Sequence, residues 1–357
     1  MRGLTRRAGA LYRSAAPESK LHGVACWSLS VRLIALVLML ACASPAGAYQ
    51  ADAPGSAPQA AGESQQIALH RTRLGHYTIA LRLNRPVRIG PEAAPHDEIR
   101  LVVDTAASHT ALNLPIAEQL NAGEPFVLDR LAHGTTGSFL TDTLTLQDAD
   151  FGAGRRDIDS IVLPGPEEPA HGSHGFLGAS AFSDERIEID FPRGLLRIDQ
   201  DLQIARDLEI DPDRRIVTGF ARVRGAAQPV RVLIDTGPNA SVANSALAGR
   251  RSSLNPGGQT RTLVTGVDSQ ASIRSERRRL FGGLEIGELC FPMFWASVLD
   301  VYAFENLGWS DEPAMIIGLD ILQDARLRID YQTGAVEIEG LSHTACRRTN
   351  EFRGARG

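Results

Sequence analysis

Residues 101–106 of the chain read LVVDTA and residues 232–237 read VLIDTG, so an apolar run that ends in Asp-Thr and a small residue occurs twice. A single copy would mean little, because Asp-Thr-Gly also forms ordinary turns at the ends of strands. Two copies indicate two half-sites, each of which delivers one carboxylate, Asp104 or Asp235, to a shared centre. Two carboxylates that share a proton can act as a general acid and a general base.

The two motifs lie inside a longer internal repeat. Each follows a pattern typical of a hairpin whose second strand ends at the Asp. Each precedes an apolar-apolar-Gly motif, which is FLG at residues 176–178 and IIG at residues 316–318. A closing hairpin pattern then follows, in which alternating apolar and polar residues surround a Gly turn. Ordered similarity over this length predicts two copies of one β-rich unit.

This order of motifs resembles the retropepsin-like and pepsin-like aspartic peptidases, in a tandem single-chain bacterial form. The resemblance covers about residues 75–340. It implies an all-β, bilobal acid-protease fold of two pseudo-symmetric retropepsin-like β-barrel lobes with short helices. It also implies an aspartic endopeptidase in which Asp104 and Asp235 activate a water that hydrolyses a peptide bond. We expect no cofactor and no metal ion.

The residues that follow each Asp are expected to support the dyad. By the resemblance, Thr105 and Thr236 brace the two loops beneath the carboxylates and so hold their geometry. At the position after Asp-Thr the family prefers Gly. The second copy has Gly237 there, whereas the first copy has Ala106. Because Ala resists backbone angles that Gly accepts, Ala106 is expected to narrow the site or tilt its loop.

The next position is Ala107 in the first copy and Pro238 in the second. Pepsin-like members often place Ser or Thr there, and its hydroxyl favours the charged form of the carboxylate. Without that donor, we expect the pKa values of the dyad to exceed those of pepsin-like enzymes, with activity at mildly acidic to near-neutral pH.

Each lobe is also expected to offer a Gly-containing flap. The first candidate contains Gly134 and Gly137, and the second contains Gly266. Gly137 and Gly266 follow the preceding Asp at similar spacings in the sequence. Gly at a hairpin tip gives the mobility that a substrate-covering loop needs. Plain surface turns have the same composition, so both interpretations stay open. An extended peptide would pair its backbone between the flaps and the floor.

Composition, the internal repeat and the resemblance together divide the chain of 357 residues into six segments. They are a signal peptide (1–48), a flexible linker (49–70), an N-terminal aspartic peptidase lobe (71–200), an inter-lobe connection (201–213), a C-terminal aspartic peptidase lobe (214–341) and a basic tail (342–357). The leader combines a basic start, an apolar run at 33–43 and a small-x-small site at 46–48, which is typical of a secretory signal peptide. The alternatives are lipidation at Cys42 and an uncleaved membrane anchor. We therefore expect a periplasmic or secreted protein, with a membrane tether through the N-terminus in those two alternatives.

Charge and cysteine content bear on the partners. The formal net charge is −5, so nothing favours binding to nucleic acid. We expect a peptide or protein substrate, and a monomer, because one chain supplies both carboxylates. Cys290 and Cys346 would remain after removal of the leader. A disulfide between them and a free, buried Cys290 are both compatible with the sequence.

Two other functions fit the same residues. One is a catalytically weak or inactive peptide-binding protein that keeps the fold, which Ala106 motivates. The other is a protease that cuts only its own linker or one membrane-tethered client, which the Ala- and Pro-rich stretch at 51–66 motivates. Retention of both Asp and both Thr favours the active endopeptidase.

Overall fold

The structure is a computed structural model of the chain. It describes residues 64–89, 92–122, 126–163, 172–249, 253–254, 262–265, 272–275 and 278–340, with backbone alone from 253 to 275. All of these residues belong to one compact unit. The predicted signal peptide, most of the predicted linker, the basic tail and Gly266 lie outside the described residues.

The first half of the described chain is built from short strands with one α-helix and one 3₁₀ turn. In chain order the elements are β1 (Gln65–Ala68), β2 (His70–Arg71), β3 (Tyr77–Arg88), β4 (Pro95–Val103), β5 (Thr110–Asn113), α1 (Leu114–Leu120), β6 (Arg130–His133), β7 (Ser138–Thr141), β8 (Thr143–Ala149), β9 (Arg156–Leu163), β10 (Gly175–Leu177), the 3₁₀ turn (Ala179–Phe182), β11 (Arg186–Asp190) and β12 (Leu195–Ile198).

The second half follows a similar order but adds a two-residue strand and a helix. Its elements are β13 (Leu208–Ile210), β14 (Val217–Arg224), β15 (Val230–Ile234), β16 (Val242–Ala243), α2 (Ser245–Ala248), β17 (Ser253–Leu254), β18 (Thr262–Thr265), β19 (Ser272–Ser275), β20 (Arg278–Ile286), β21 (Leu289–Val298), α3 (Tyr302–Asn306), β22 (Ala314–Ile317), α4 (Leu319–Leu322), β23 (Ala325–Asp330) and β24 (Ala335–Gly340).

Each half closes into a barrel with the same strand order. The N-terminal lobe has the order β3-β4-β10-β5-β9-β8, and reciprocal backbone bonds between Arg82 and Asp150, of 2.7 and 2.9 Å, join its two end strands. The C-terminal lobe has the order β14-β15-β22-β16-β21-β20, and β14 pairs directly with β20. The predicted all-β fold with two pseudo-symmetric lobes and short helices is confirmed, whereas the residue limits given above for the lobes stay predictions.

A sheet in the order β1-β12-β11-β23-β24-β13 connects the lobes. Its centre is the antiparallel pair β11–β23, in which Glu188 lies opposite Arg328. Arg328 Nε donates to Glu188 Oε2 at 2.7 Å. On either side of this pair, two ion pairs related by the pseudo-symmetry cross the same boundary, Arg186–Asp330 at 2.9 Å and Arg326–Asp190 at 3.1 Å.

The main apolar core runs through both barrels and under the connecting sheet. It forms because side chains alternate along the strands, as in β3, where Leu81 and Leu83 are buried between more exposed residues. A second apolar cluster lies on the other face of the C-terminal lobe. Its buried members are Ile216, Leu233, Val242, Val301, Phe304, Trp309, Ala314 and Ile316. None of the helices in the described part of the chain has the length and apolar character needed to cross a membrane.

Candidate active site

Asp104 and Asp235 stand where two buried strands, β4 and β15, end. The N–H of Asp104 donates to Leu177 O at 3.1 Å, and the N–H of Asp235 donates to Ile317 O at 3.0 Å. These acceptors belong to the apolar-apolar-Gly motifs, which run parallel to β4 and β15 in the sheet. The repeat therefore fixes each carboxylate at the same place in its barrel.

Two hydroxyl groups attach the loops that follow Asp104 and Asp235, which we call the Asp-Thr loops, to these motifs. Thr110 Oγ1 accepts from the N–H of Gly178 at 3.3 Å, and Ser241 Oγ accepts from the N–H of Gly318 at 3.0 Å. Ser241 Oγ also donates to Asp320 Oδ1 at 2.6 Å, and burial raises the pKa of that carboxyl. Our sequence reasoning missed this pair, although a hydroxyl residue six positions after each Asp was a usable signal.

Thr105 and Thr236 connect the two Asp-Thr loops across the lobe boundary. Thr105 Oγ1 donates to Ile234 O at 2.8 Å, and Thr236 Oγ1 donates to Val103 O at 2.7 Å. The N–H of Thr105 donates to Thr236 Oγ1 at 3.1 Å. Each hydroxyl therefore holds the carbonyl that directly precedes the Asp of the other lobe. Both threonines are buried, so water does not compete for these bonds.

The two carboxyl groups lie side by side, since a Cβ on Gly237 would be 2.8 Å from Asp104 Oδ2 and 3.1 Å from Asp235 Oδ1, and each carboxyl shifts the pKa of the other. Each also accepts a bond from its own loop: the N–H of Ala106 donates to Asp104 Oδ1 at 2.8 Å, and that of Gly237 donates to Asp235 Oδ1 at 3.0 Å. Ala106 thus makes the same backbone bond as Gly237, despite its extra methyl group.

Burial makes both carboxyl groups hard to ionise. The pKa of Asp235 lies well above its usual range, first because of desolvation and then because of the neighbouring Asp104 carboxylate. Desolvation also raises the pKa of Asp104, while the N–H of Ala106 acts in the opposite direction. Two carboxyls in contact cannot readily ionise together, so the pair retains one proton where isolated Asp side chains have lost theirs.

The small residues after each Asp-Thr have different surroundings. A Cβ on Gly237 would lie 2.8 Å from Asp104 Oδ2 and 3.1 Å from Asp235 Oδ1, so a methyl group has no room there. Ala106, in contrast, packs against the second apolar cluster. The first copy of the motif accommodates Ala because its methyl group meets the apolar side chains of the other lobe.

A histidine from the N-terminal lobe also holds the second Asp-Thr loop. His76 Nδ1–H donates to Gly237 O at 2.7 Å. This bond places the ring proton on Nδ1, so Nε2 accepts from Asn239 Nδ2 at 2.9 Å. Sequence reasoning missed His76, because a single histidine before a strand carries no signal for a contact with a loop 161 residues away.

The first flap candidate is the β6–β7 hairpin, whose tip is closed by a bond from Gly134 N to Gly137 O of 2.8 Å. The tip reaches the C-terminal lobe, where Thr135 O accepts from the N–H of Ala303 at 3.2 Å. The ring of His133 stacks on Tyr302, with 5.9 Å between centroids, and their Nδ1 and Oη atoms are 2.9 Å apart.

The second flap candidate lies at the corresponding hairpin, β18–β19, whose strands pair from Thr262–Ser275 to Thr265–Ser272. Gly266 follows β18 directly but lies outside the described residues, so its role stays a prediction.

Comparison with known proteins adds little to this geometry. No protein-family model matches the chain, and no curated protein matches it. Among solved structures, the chain is similar to a crystal structure of a retropepsin-like aspartic protease from Rickettsia conorii. That likeness has 25% sequence identity and a TM-score of 0.25, and it covers 38% of this chain and 90% of that one. A TM-score this low supports no inference about function, so the function must be inferred from the geometry of the site.

Proposed function

We propose that the protein is an aspartic endopeptidase of the retropepsin-like type. The observation that carries the proposal is the close approach of the carboxyls of Asp104, which is half-buried, and Asp235, which is buried, at the ends of equivalent strands of two equivalent barrels. A pair of adjacent carboxyls that keeps one proton is suited to general acid–base chemistry on a bound water. The reciprocal bonds of Thr105 and Thr236 support this role, because they fix the distance between the carboxyls.

The mechanism follows from the proton that the pair retains. The ionised carboxylate takes a proton from a water bound between the two groups, while the protonated carboxyl donates to the carbonyl oxygen of the peptide bond. The water oxygen attacks the carbonyl carbon and gives a neutral tetrahedral gem-diol. The protonated carboxyl then gives its proton to the amide nitrogen and the C–N bond breaks, while one hydroxyl of the gem-diol gives its proton to the other carboxylate. This leaves an acid and an amine and restores the single proton of the pair. The pKa of both carboxyls is raised, and the proton belongs to the pair rather than to either Asp.

The predicted substrate, oligomeric state and location are part of this proposal. The substrate would be an extended peptide held beneath the β6–β7 hairpin, and the protein would act as a monomer in the periplasm or outside the cell. One observation supports export: Cys290 is disulfide-bonded, and disulfides persist in oxidising compartments. Cys346 lies outside the described residues, so its pairing with Cys290 stays a proposal.

The test is cleavage of a diverse peptide library by the chain without residues 1–48, across about pH 3–8. Asp104→Asn and Asp235→Asn are compared with a matched control, Asp330→Asn, because Asp330 and Asp235 are each 4% exposed but Asp330 makes an ion pair in the connecting sheet. The proposal expects both dyad variants to lose cleavage and Asp330→Asn to keep it.

Two results would count against the proposal. Cleavage that survives both dyad substitutions would refute the aspartic mechanism. Binding of a statine-type transition-state mimic without any cleavage would favour the alternative of a peptide-binding protein that keeps the fold.

A further inference from the structure

Two equivalent sets of three apolar residues flank the dyad, one in each lobe. Phe176 of β10 lies opposite Val102 and Ala111 on the neighbouring strands, and Ile316 of β22 lies opposite Leu233 and Val242. We call these the N-terminal and C-terminal triads. The strand registers are the same in both lobes, so the triads occupy corresponding positions on either side of the pseudo-symmetry axis.

The triads face away from the barrel interiors. Side chains alternate along a strand, and the neighbouring residues Ile234, Ala243 and Ile317 belong to the main core. The C-terminal triad belongs to the second apolar cluster, against which Ala106 packs. Ala106 lies two residues after Asp104 and its N–H is bonded to that carboxyl. The face that carries the C-terminal triad therefore borders the dyad.

The chain itself fills the C-terminal triad. Val301, Phe304 and Trp309 pack on it, and all are buried, with Phe304 and Ile316 each 1% exposed. These three residues come from residues 299–309, which we call the cover segment. The tip of the β6–β7 hairpin rests on the same segment through Ala303.

The cover segment is held in place at both ends. Near its start, Ser245 Oγ donates to Asp300 Oδ2 at 2.6 Å. Near its end, Asn244 Nδ2 donates to Trp309 O at 3.0 Å, and the guanidinium of Arg231 lies 5.8 Å from the Trp309 ring centroid. Asn244 is itself fully buried. These contacts hold the cover segment in place, so it is a fixed wall over the C-terminal triad rather than a lid.

The N-terminal triad has a different cover. Phe176 keeps part of its ring exposed, and its apolar neighbours include Phe139 on the inner face of the β6–β7 hairpin and Leu163 at the end of β9. An aromatic surface of this kind can receive a large apolar side chain from a ligand.

We infer that the cover segment makes the two sides of the peptide site, one at each triad, unequal. As a result, the protein selects peptides with a large apolar residue on one side of the scissile bond and a small residue, such as Gly, Ala or Ser, on the other. This inference rests on the proposed function. The N-terminal triad receives the large side chain, and Phe304, which covers the C-terminal triad, excludes a second one.

The test compares cleavage sites of the wild-type chain with those of Phe304→Leu. Leu is smaller than Phe and keeps the site apolar, so the variant is expected to fold with a more open wall. Val and Leu should then be accepted about tenfold better at the small-residue position, since one methylene in a pocket changes kcat/KM by about that factor. Phe281→Leu is the matched control, because Phe281 is fully buried in the main core of the same lobe. It should lower stability and leave selectivity unchanged.

Binding provides a second measurement that does not need turnover. Two statine-type mimics are compared by calorimetry, one with a large and a small flanking residue and one with two large residues. Preferential binding of the first would support the inference even if no peptide were cleaved, and the proposed function alone would then be wrong.

Three results would overturn the inference. They are dyad-dependent cleavage with large apolar residues accepted equally on both sides, the same selectivity in Phe304→Leu as in the wild type, and equal binding of the two mimics. Absence of both cleavage and binding would refute the inference together with the proposed function.

Discussion

Gly237→Ala tests the geometry of the dyad most directly. The added methyl group would lie 2.8 Å from Asp104 Oδ2 and 3.2 Å from Asp104 Cγ. An ordinary contact between a methyl carbon and an oxygen needs about 3.4 Å, so the Asp104 carboxyl must move by roughly 0.6 Å. The backbone of Gly237 is not in the left-handed region, so the substitution acts through space and not through backbone strain.

The expected effect on turnover follows from that displacement. A misplacement of about 1 Å at a reacting group lowers the rate by roughly 10²-fold, and the displaced carboxyl also loses its position beside Asp235. We therefore expect kcat to fall by about 10²-fold. Overpacking of a well-packed site should reduce the free energy of unfolding by about 1–3 kcal/mol, which leaves the protein folded at room temperature.

The reciprocal substitution, Ala106→Gly, is the control. It removes a methyl group that packs on the second apolar cluster, and we expect a loss of about 1–2 kcal/mol in stability with kcat within threefold of the wild type. The assay is kcat and KM on a peptide found in the library screen, beside urea unfolding of both variants. A Gly237→Ala protein with wild-type kcat would refute the geometric argument, as would a large loss of kcat in Ala106→Gly.

Three further predictions concern stability and the flap. Burial and the Asp104 charge raise the pKa of Asp235, so the folded state keeps a proton that the unfolded chain releases, and stability falls as pH rises through that pKa. Asp235→Asn should therefore have a higher Tm than the wild type at pH 7 and the same Tm near pH 3. The free energy of unfolding changes by about 1.4 kcal/mol for each tenfold change in the ionisation constant of Asp235 on folding. An equal difference in Tm at both pH values would contradict this. Thr236→Val leaves the buried Val103 carbonyl and Thr105 N–H without their partner, and denaturant unfolding should show a loss of about 2–4 kcal/mol, whereas Thr236→Ser should retain most of the stability. Tyr302→Phe removes the contact with His133 Nδ1 but keeps the ring, so hydrogen exchange at residues 130–141 should accelerate by up to about tenfold, and unchanged exchange would show that this contact does not hold the hairpin.

The sequence predicted the features that depend on the repeat. Asp104 and Asp235 could be paired because strand alternation and the two Gly motifs fix each of them at the same place in a barrel. Asp-Thr appears in both copies, so the bonds across the lobe boundary follow from the same symmetry. The confirmed all-β fold rests on these local patterns, which are visible within about ten residues.

Features that break the symmetry were not predictable in the same way. His76 holds Gly237, whereas the corresponding surroundings of Ala106 are apolar. Such contacts join residues far apart in sequence, and no spacing rule describes them. The cover segment was also missed, because its residues have the pattern of an ordinary short amphipathic helix. Only the structure shows that Phe304 belongs to the same apolar cluster as Ile316.

The ion pair at the middle of the connecting sheet has a consequence for how the two halves can assemble. Glu188 and Arg328 occupy the same position in the two repeats and face each other at the axis. Two copies of the first half, joined through this sheet, would bring two Glu188 carboxylates into contact. Two copies of the second half would do the same with two Arg328 guanidinium groups. Like charges in contact are destabilising on adjacent strands, so this position favours the pairing of one half with the other over the pairing of two identical halves.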